Sequence, residues 1–192
     1  ARMGAGRGTP DQGRAGRRFM EQPAGFDALI DKITEATIAD LGKQVEAGAE
    51  VVKLFDSWAG TLNWADFEKY SIAPTRRIVE ALHARWPHLP IIGFPRGAGT
   101  GYETFVEQTG VTAVALGSTV SPHWAKQHLQ PKLCVQGNLD PMHMVTGGQG
   151  LVDATRRVMD ILGDGPFIFN LGHGITPDAD PENVALMLKT IR

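Results

Sequence analysis

Five short apolar runs constrain this sequence most. They occupy residues 51–55, 89–94, 111–116, 133–135 and 167–171. Each is too short for a helix, rich in β-branched or aromatic residues, and continuous rather than alternating. Runs of that kind are strands of a parallel sheet covered on both faces. Between them the apolar spacing turns helical, as in 26–45, where Phe26, Leu29, Ile30, Ile33, Leu41 and Val45 recur on one side. The same reading predicts helices over 64–86, 102–108, 152–162 and 184–191. Strand and helix therefore alternate about five times. The fold class is α/β, either a barrel or a doubly wound sheet.

Local chemistry sharpens the helix starts. Ser121-Pro122, Asp140-Pro141 and Asp180-Pro181 each set a side-chain acceptor before a proline. The acceptor caps the first free N–H groups, and the proline has no N–H to leave unpaired. Asp178 and Glu182 then face the positive end of the last helix. These acids are better explained as caps than as an acid–base pair.

In both architectures ligands gather at the carboxyl ends of the strands. Those ends carry Asp56-Ser57-Trp58-Ala59-Gly60, Pro95-Arg96-Gly97-Ala98-Gly99, Gly117-Ser118-Thr119, Gln136-Gly137-Asn138-Leu139-Asp140 and Asn170-Leu171-Gly172-His173-Gly174. His173 stands between two glycines, which allow close backbone approach to a ligand; a turn histidine is the bland alternative. Ser57 is not in a nucleophile elbow, so a hydrogen bond to substrate or a plain turn are its two readings. Gly97-Ala98-Gly99-Thr100-Gly101 has the look of a phosphate loop, but Tyr102 stands where the dinucleotide fingerprint needs its last glycine. Arg2, Arg7 and Arg96 sit beside glycines in loops, where a guanidinium can take a carboxylate bidentately. The tryptophans are expected to pack at the core or its rim.

Several classes are disfavoured. A net charge of −2 gives no electrostatic case for nucleic acid or an anionic membrane. No apolar run approaches membrane-spanning length, and the first residues lack the apolar core of a secretory signal. Cys134 is the single cysteine, so no internal disulfide is expected and a reducing, cytoplasmic setting fits. The six histidines show no zinc spacing, and no zinc site is expected.

Three stretches in order resemble the uroporphyrinogen decarboxylase family: Leu54-Phe55-Asp56-Ser57-Trp58-Ala59-Gly60, Gln136-Gly137-Asn138-Leu139-Asp140-Pro141, and Asn170-Leu171-Gly172-His173-Gly174-Ile175 with Pro177-Asp178. Ile33-Thr34-Glu35-Ala36-Thr37 and Met3-Gly4-Ala5-Gly6-Arg7-Gly8 agree. The resemblance covers essentially the whole chain. It implies one domain over 1–192, made of the carboxyl-terminal strand–helix units of a (β/α)8 TIM barrel. The chain is then expected to be a fragment, in keeping with its start at Ala1. An isolated partial barrel leaves open strand edges and is expected to be poorly soluble alone.

The implied enzyme is a carboxy-lyase of porphyrin (haem and chlorophyll) biosynthesis. It removes the four acetate carboxyl groups of uroporphyrinogen III as carbon dioxide and yields coproporphyrinogen III, without a cofactor. The resemblance puts the family's substrate-contacting histidine, serine and phenylalanine on His173, Ser57 and Phe55. It implies a cytoplasmic protein that is a homodimer when full length, with no nucleic-acid or membrane partner. Two departures stand out: Arg2 replaces a family tyrosine, where it could take a substrate carboxylate, and Gly117 replaces an acid. The alternatives are a corrinoid-dependent methyltransferase of the same superfamily, whose His-x-Cys loop here reads Phe94-Pro95-Arg96-Gly97, and a non-catalytic porphyrinogen-binding paralogue.

Overall fold

The computed structural model describes Arg17 and residues 20–192. The five apolar runs become β1 (Val52–Asp56), β2 (Ile91–Pro95), β3 (Ala113–Ala115), β4 (Cys134–Leu139) and β5 (Phe167–Leu171). All four pairings are parallel, and the strands lie in chain order β1-β2-β3-β4-β5. A doubly wound sheet reverses its order at a switch point. This one never reverses, so right-handed crossovers carry every connecting helix to one face. That is the wall of a (β/α) barrel, five strands wide.

Helix α1 (Pro23–Glu46) precedes β1. Between β1 and β2 run α2 (Trp64–Phe67), a π turn (Glu68–Ile72) and α3 (Ala73–Arg85) without a break. Then come α4 (Gly101–Thr109), α5 (Pro122–His128), α6 (His143–Thr146), α7 (Gly148–Leu162) and α8 (Pro181–Ile191). Among the described residues no helix is long and apolar enough to cross a membrane.

Alternate strand residues divide between two faces. Val52, Ile91, Val114 and Val135 join Leu82, Phe105, Leu129 and Leu162 from the helices in the main core. Each fully buried side chain of this kind contributes about 1.5–3 kcal/mol of transfer free energy. On the other face Ile92, Phe94, Ala113 and Ala115 form a small second cluster flanked by Cys134. Lys53, Phe55 and Gln136 lie on that same face by strand alternation. Full burial on both faces was the expectation for such runs, and the sheet edges depart from it. Phe55 on β1 is 65% exposed and Ile168 on β5 is 41% exposed. In the middle of the sheet Ile92 and Phe94 are buried.

The expected helix over 64–86 is one rod with a π turn inside it. Pro74 stands one residue beyond that turn; a proline has no N–H for the i−4 carbonyl, and a π turn absorbs the interruption. Ser121 and Asp180 cap their helices as expected, accepting from the N–H groups of Trp124 and Glu182. Asp140 does not. Its Oδ1 accepts from the Met142 N–H at 3.0 Å in a turn, and α6 begins only at His143 without a side-chain cap. Strand β4 also continues past Val135 to Leu139, where a loop was expected.

Candidate active site

The strand ends are bound to one another by backbone contacts that need glycine. Arg96 N–H donates to Asp56 O at 3.1 Å, and Gly60 N–H donates to Arg96 O at 2.9 Å. A Cβ on Gly60 would lie 2.2 Å from Gly97 O, so the loops after β1 and β2 can only close this way without a side chain. At the other end of the sheet Gly172 N–H donates to Leu139 O at 2.7 Å. A Cβ on Gly172 would lie 2.3 Å from Ser118 N and 2.8 Å from Ser118 Cα. The glycine before His173 therefore serves contact between the loops after β5 and β3. Gly174, after the histidine, has nothing within 4 Å of its would-be Cβ. Only that second glycine leaves open space for a ligand.

The loop after β3 is held from two sides. Gly117 N–H donates to Tyr102 Oη at 3.3 Å. Asn138 Nδ2 donates to Gly117 O at 3.1 Å and Val120 O at 2.8 Å. Tyr102 is fully buried, and burial pushes its phenol up to about 12.

These loops enclose a cavity of about 260 Å³, lined by Ser57, Trp58, Arg96, Gly117, Ser118 and Thr119 among others. Ser57 thus opens into a pocket whose cation is Arg96. A Cβ at Gly117 would meet Arg96 Cγ at 3.7 Å, an ordinary contact, so an acid there would sit beside the arginine. With glycine in place, Arg96 has no ion-pair partner among the described residues, whose salt bridges all lie elsewhere.

His173 is not in that cavity. It is exposed beside Phe94, with ring centroids 6.2 Å apart. Phe55 meets Phe94 edge-on at 5.9 Å from the other side. Partial burial, then repulsion from Arg96 and Lys53, lower the His173 pKa below the usual histidine value. Ser57 and His173 are therefore two flanks of one surface, with Arg96 electrostatically linked to the histidine and lining the serine's pocket. Arg2 and Arg7 lie outside the described residues.

Two features escaped the sequence reading. Lys53 projects from β1 onto the same face and donates to Gln136 Oε1 at 2.6 Å. The strand alternation of 51–55 would have placed it there, but a lysine inside an apolar run reads as an edge or a stray charge. Asp56, at the end of β1, accepts from Ser71 Oγ at 2.6 Å, and burial raises its pKa. Among the described residues no group of three or more His, Cys, Asp or Glu could hold a metal ion.

Comparison with known proteins bears on what this surface serves. The family profile described as uroporphyrinogen decarboxylase (URO-D) matches residues 1–192. The chain belongs to the uroporphyrinogen decarboxylase family. It is 60% identical over 190 residues to a uroporphyrinogen decarboxylase of Ruegeria pomeroyi, covering 99% of this chain and 55% of that protein. It is 59% identical over 192 residues to one of Cereibacter sphaeroides, with 99% and 56% covered, and 58% identical over 190 residues to one of Paracoccus denitrificans, again 99% and 56%. The chain spans about half the length of the curated relatives it matches. Uroporphyrinogen decarboxylases are TIM-barrel proteins, and the five-strand wall is the part of that barrel carried here. These relatives do not favour the methyltransferase or the non-catalytic alternative.

Proposed function

We propose that this chain, as one domain over 1–192, provides the His173–Ser57 side of the active site of a uroporphyrinogen decarboxylase. The observation that carries the reading is the concentration of cations, Lys53 and Arg96, that have no carboxylate partner among the described residues and lie near His173 at the strand ends. A substrate with many carboxylates supplies the missing partners. The products would be coproporphyrinogen III and carbon dioxide from the four acetates of uroporphyrinogen III, in porphyrin biosynthesis.

The chemistry follows from charge. Loss of carbon dioxide leaves an electron pair on the former acetate carbon. Protonation of the adjacent pyrrole carbon beforehand turns the ring into the sink for that pair, so no organic cofactor is called for. The protein must hold the carboxylates, exclude water and manage one proton for each step. Partial burial and the charges of Arg96 and Lys53 oppose protonation of His173. A neutral imidazole can donate from one nitrogen and accept at the other, which suits it to hold an acetate edge or relay a proton. Ser57 offers a hydroxyl from the 260 Å³ cavity, and the exposed ring of Phe55 offers an apolar ledge for a pyrrole. Arg2 belongs to the same proposal as a carboxylate contact. The full-length protein would act in the cytoplasm as a homodimer, without nucleic-acid or membrane partners.

The test is anaerobic turnover of uroporphyrinogen by the full-length protein carrying this chain. Carbon dioxide release that falls at least about tenfold in His173→Ala, and less in Ser57→Ala, supports the roles. Binding without release refutes catalysis, and unchanged turnover in both variants refutes the residue assignments.

A further inference from the structure

Lys53 is the charge least expected where it stands. It lies on the face whose neighbours Ile92, Phe94, Ala113 and Ala115 form an apolar cluster. An ammonium in such a place is costly unless something compensates it. Its partners among the described residues are neutral: Gln136 Oε1 at 2.6 Å, the Phe55 ring at 4.5 Å and the Phe94 ring at 5.0 Å. None of the salt bridges among the described residues involves Lys53. An ammonium has three donors, and the amide oxygen takes one. Gln136 is itself buried and fixes the head group from across the sheet, on β4. The lysine is thus held in place by groups that cannot neutralise it. Burial lowers its pKa, the mark of a charge short of compensation.

The direction of reach matters. Lys53 leaves β1 two residues before Phe55, yet its ammonium rests against both Phe55 and Phe94. Phe94 is also the ring that His173 faces. The side chain therefore runs toward the carboxyl end of the sheet and places its charge in the same cleft as His173.

We propose that Lys53, oriented by Gln136, is a carboxylate-binding residue of this cleft, taking one acid arm of the substrate while a pyrrole lies against Phe55. The proposal rests on the decarboxylase reading above and adds to it a specificity-determining contact.

The test uses the full-length protein and two fluorescent probes: uroporphyrin, the oxidised macrocycle with eight carboxylates, and coproporphyrin, which retains only the propionates. Wild type, Lys53→Met, Lys53→Arg and the double variant Lys53→Met with Gln136→Leu are titrated with both. The double variant removes the amide that the single variant strands. Expected is a loss of about tenfold or more in uroporphyrin affinity in both methionine variants, the scale of one charge-assisted contact. Lys53→Arg should recover most of it. In turnover the methionine variants should show the loss chiefly in KM. Equal affinity for uroporphyrin in wild type and folded Lys53→Met overturns this proposal while leaving the decarboxylase reading intact. A drop in Lys53→Met that arginine does not recover assigns Lys53 to packing and also overturns it. Absence of porphyrin binding and turnover in the wild type overturns both readings.

Discussion

The two glycines around His173 give opposite predictions for one added methyl group. In Gly172→Ala the new Cβ must fit where Ser118 N is 2.3 Å away and Ser118 Cα 2.8 Å away. Both are backbone atoms, so no rotamer change relieves the clash. Nor can the Ser118 segment retreat freely, because Gly117 is held by Tyr102 Oη and by Asn138 Nδ2. Overpacking of this kind costs about 1–3 kcal/mol. If the end of β5 moves instead, the 2.7 Å bond from Gly172 N–H to Leu139 O is lost, at about 1 kcal/mol more. The expected destabilisation is about 2–4 kcal/mol, which in the full-length protein lowers Tm by roughly 3–8 °C. In Gly174→Ala nothing lies within 4 Å, and the residue is not in the left-handed region, so its stability should rise slightly or hold, by about 0.4–1 kcal/mol at most. Thermal melts followed by far-ultraviolet circular dichroism at equal protein concentration measure the difference. A Gly172→Ala variant melting within about a degree of wild type, or no more than Gly174→Ala is displaced, would refute the argument that loop-to-loop packing fixes the glycine before the histidine.

The His173 resonance in a proton NMR titration should have its midpoint below the ordinary histidine value and move up in Lys53→Met, since a repelling cation is gone. The linked stability is present above the unfolded-state value near 6.5 and is lost as pH falls through the depressed folded value, because only the unfolded chain then takes up the proton; an unshifted midpoint in Lys53→Met would contradict the cleft geometry. Tyr102 gives the opposite window: its phenol, pushed up to about 12, adds stability that is intact below pH ~10 and is lost as pH rises toward 12. Tyr102→Phe should remove that alkaline transition and cost about 1 kcal/mol at neutral pH through the unpaired Gly117 N–H, as denaturant melts at both pH values will show. The 192-residue chain expressed alone should self-associate, since among the described residues β1 and β5 have no further strand neighbours and carry the exposed Phe55 and Ile168; a monodisperse, cooperatively melting monomer in sedimentation would refute this.

What the sequence revealed and what it hid divide along a physical line. Strands β1, β2, β3 and β5 were readable because β-branched and aromatic residues in short runs have few other uses. Strand β4 was readable only to Val135, since Gln136, Gly137 and Asn138 have the composition of a loop. In the fold they remain in register with β5, Asn138 opposite Asn170; Gln136 bonds across the sheet to Lys53, and Asn138 bonds to the loop after β3. A polar residue in a strand is invisible to hydropathy when its partner is distant in sequence; Lys53 and Gln136 are separated by 83 positions. The same limit applied to Gly172, whose reason for being glycine is Ser118, on another strand's loop. His173 and Ser57 were singled out by their motifs and Arg96 by its place beside a glycine, whereas Lys53 acquires a meaning only from its neighbours in the fold. A lysine in an apolar run signals little alone. Brought with Arg96 to the same end of one sheet, it gives the surroundings of His173 a positive sign.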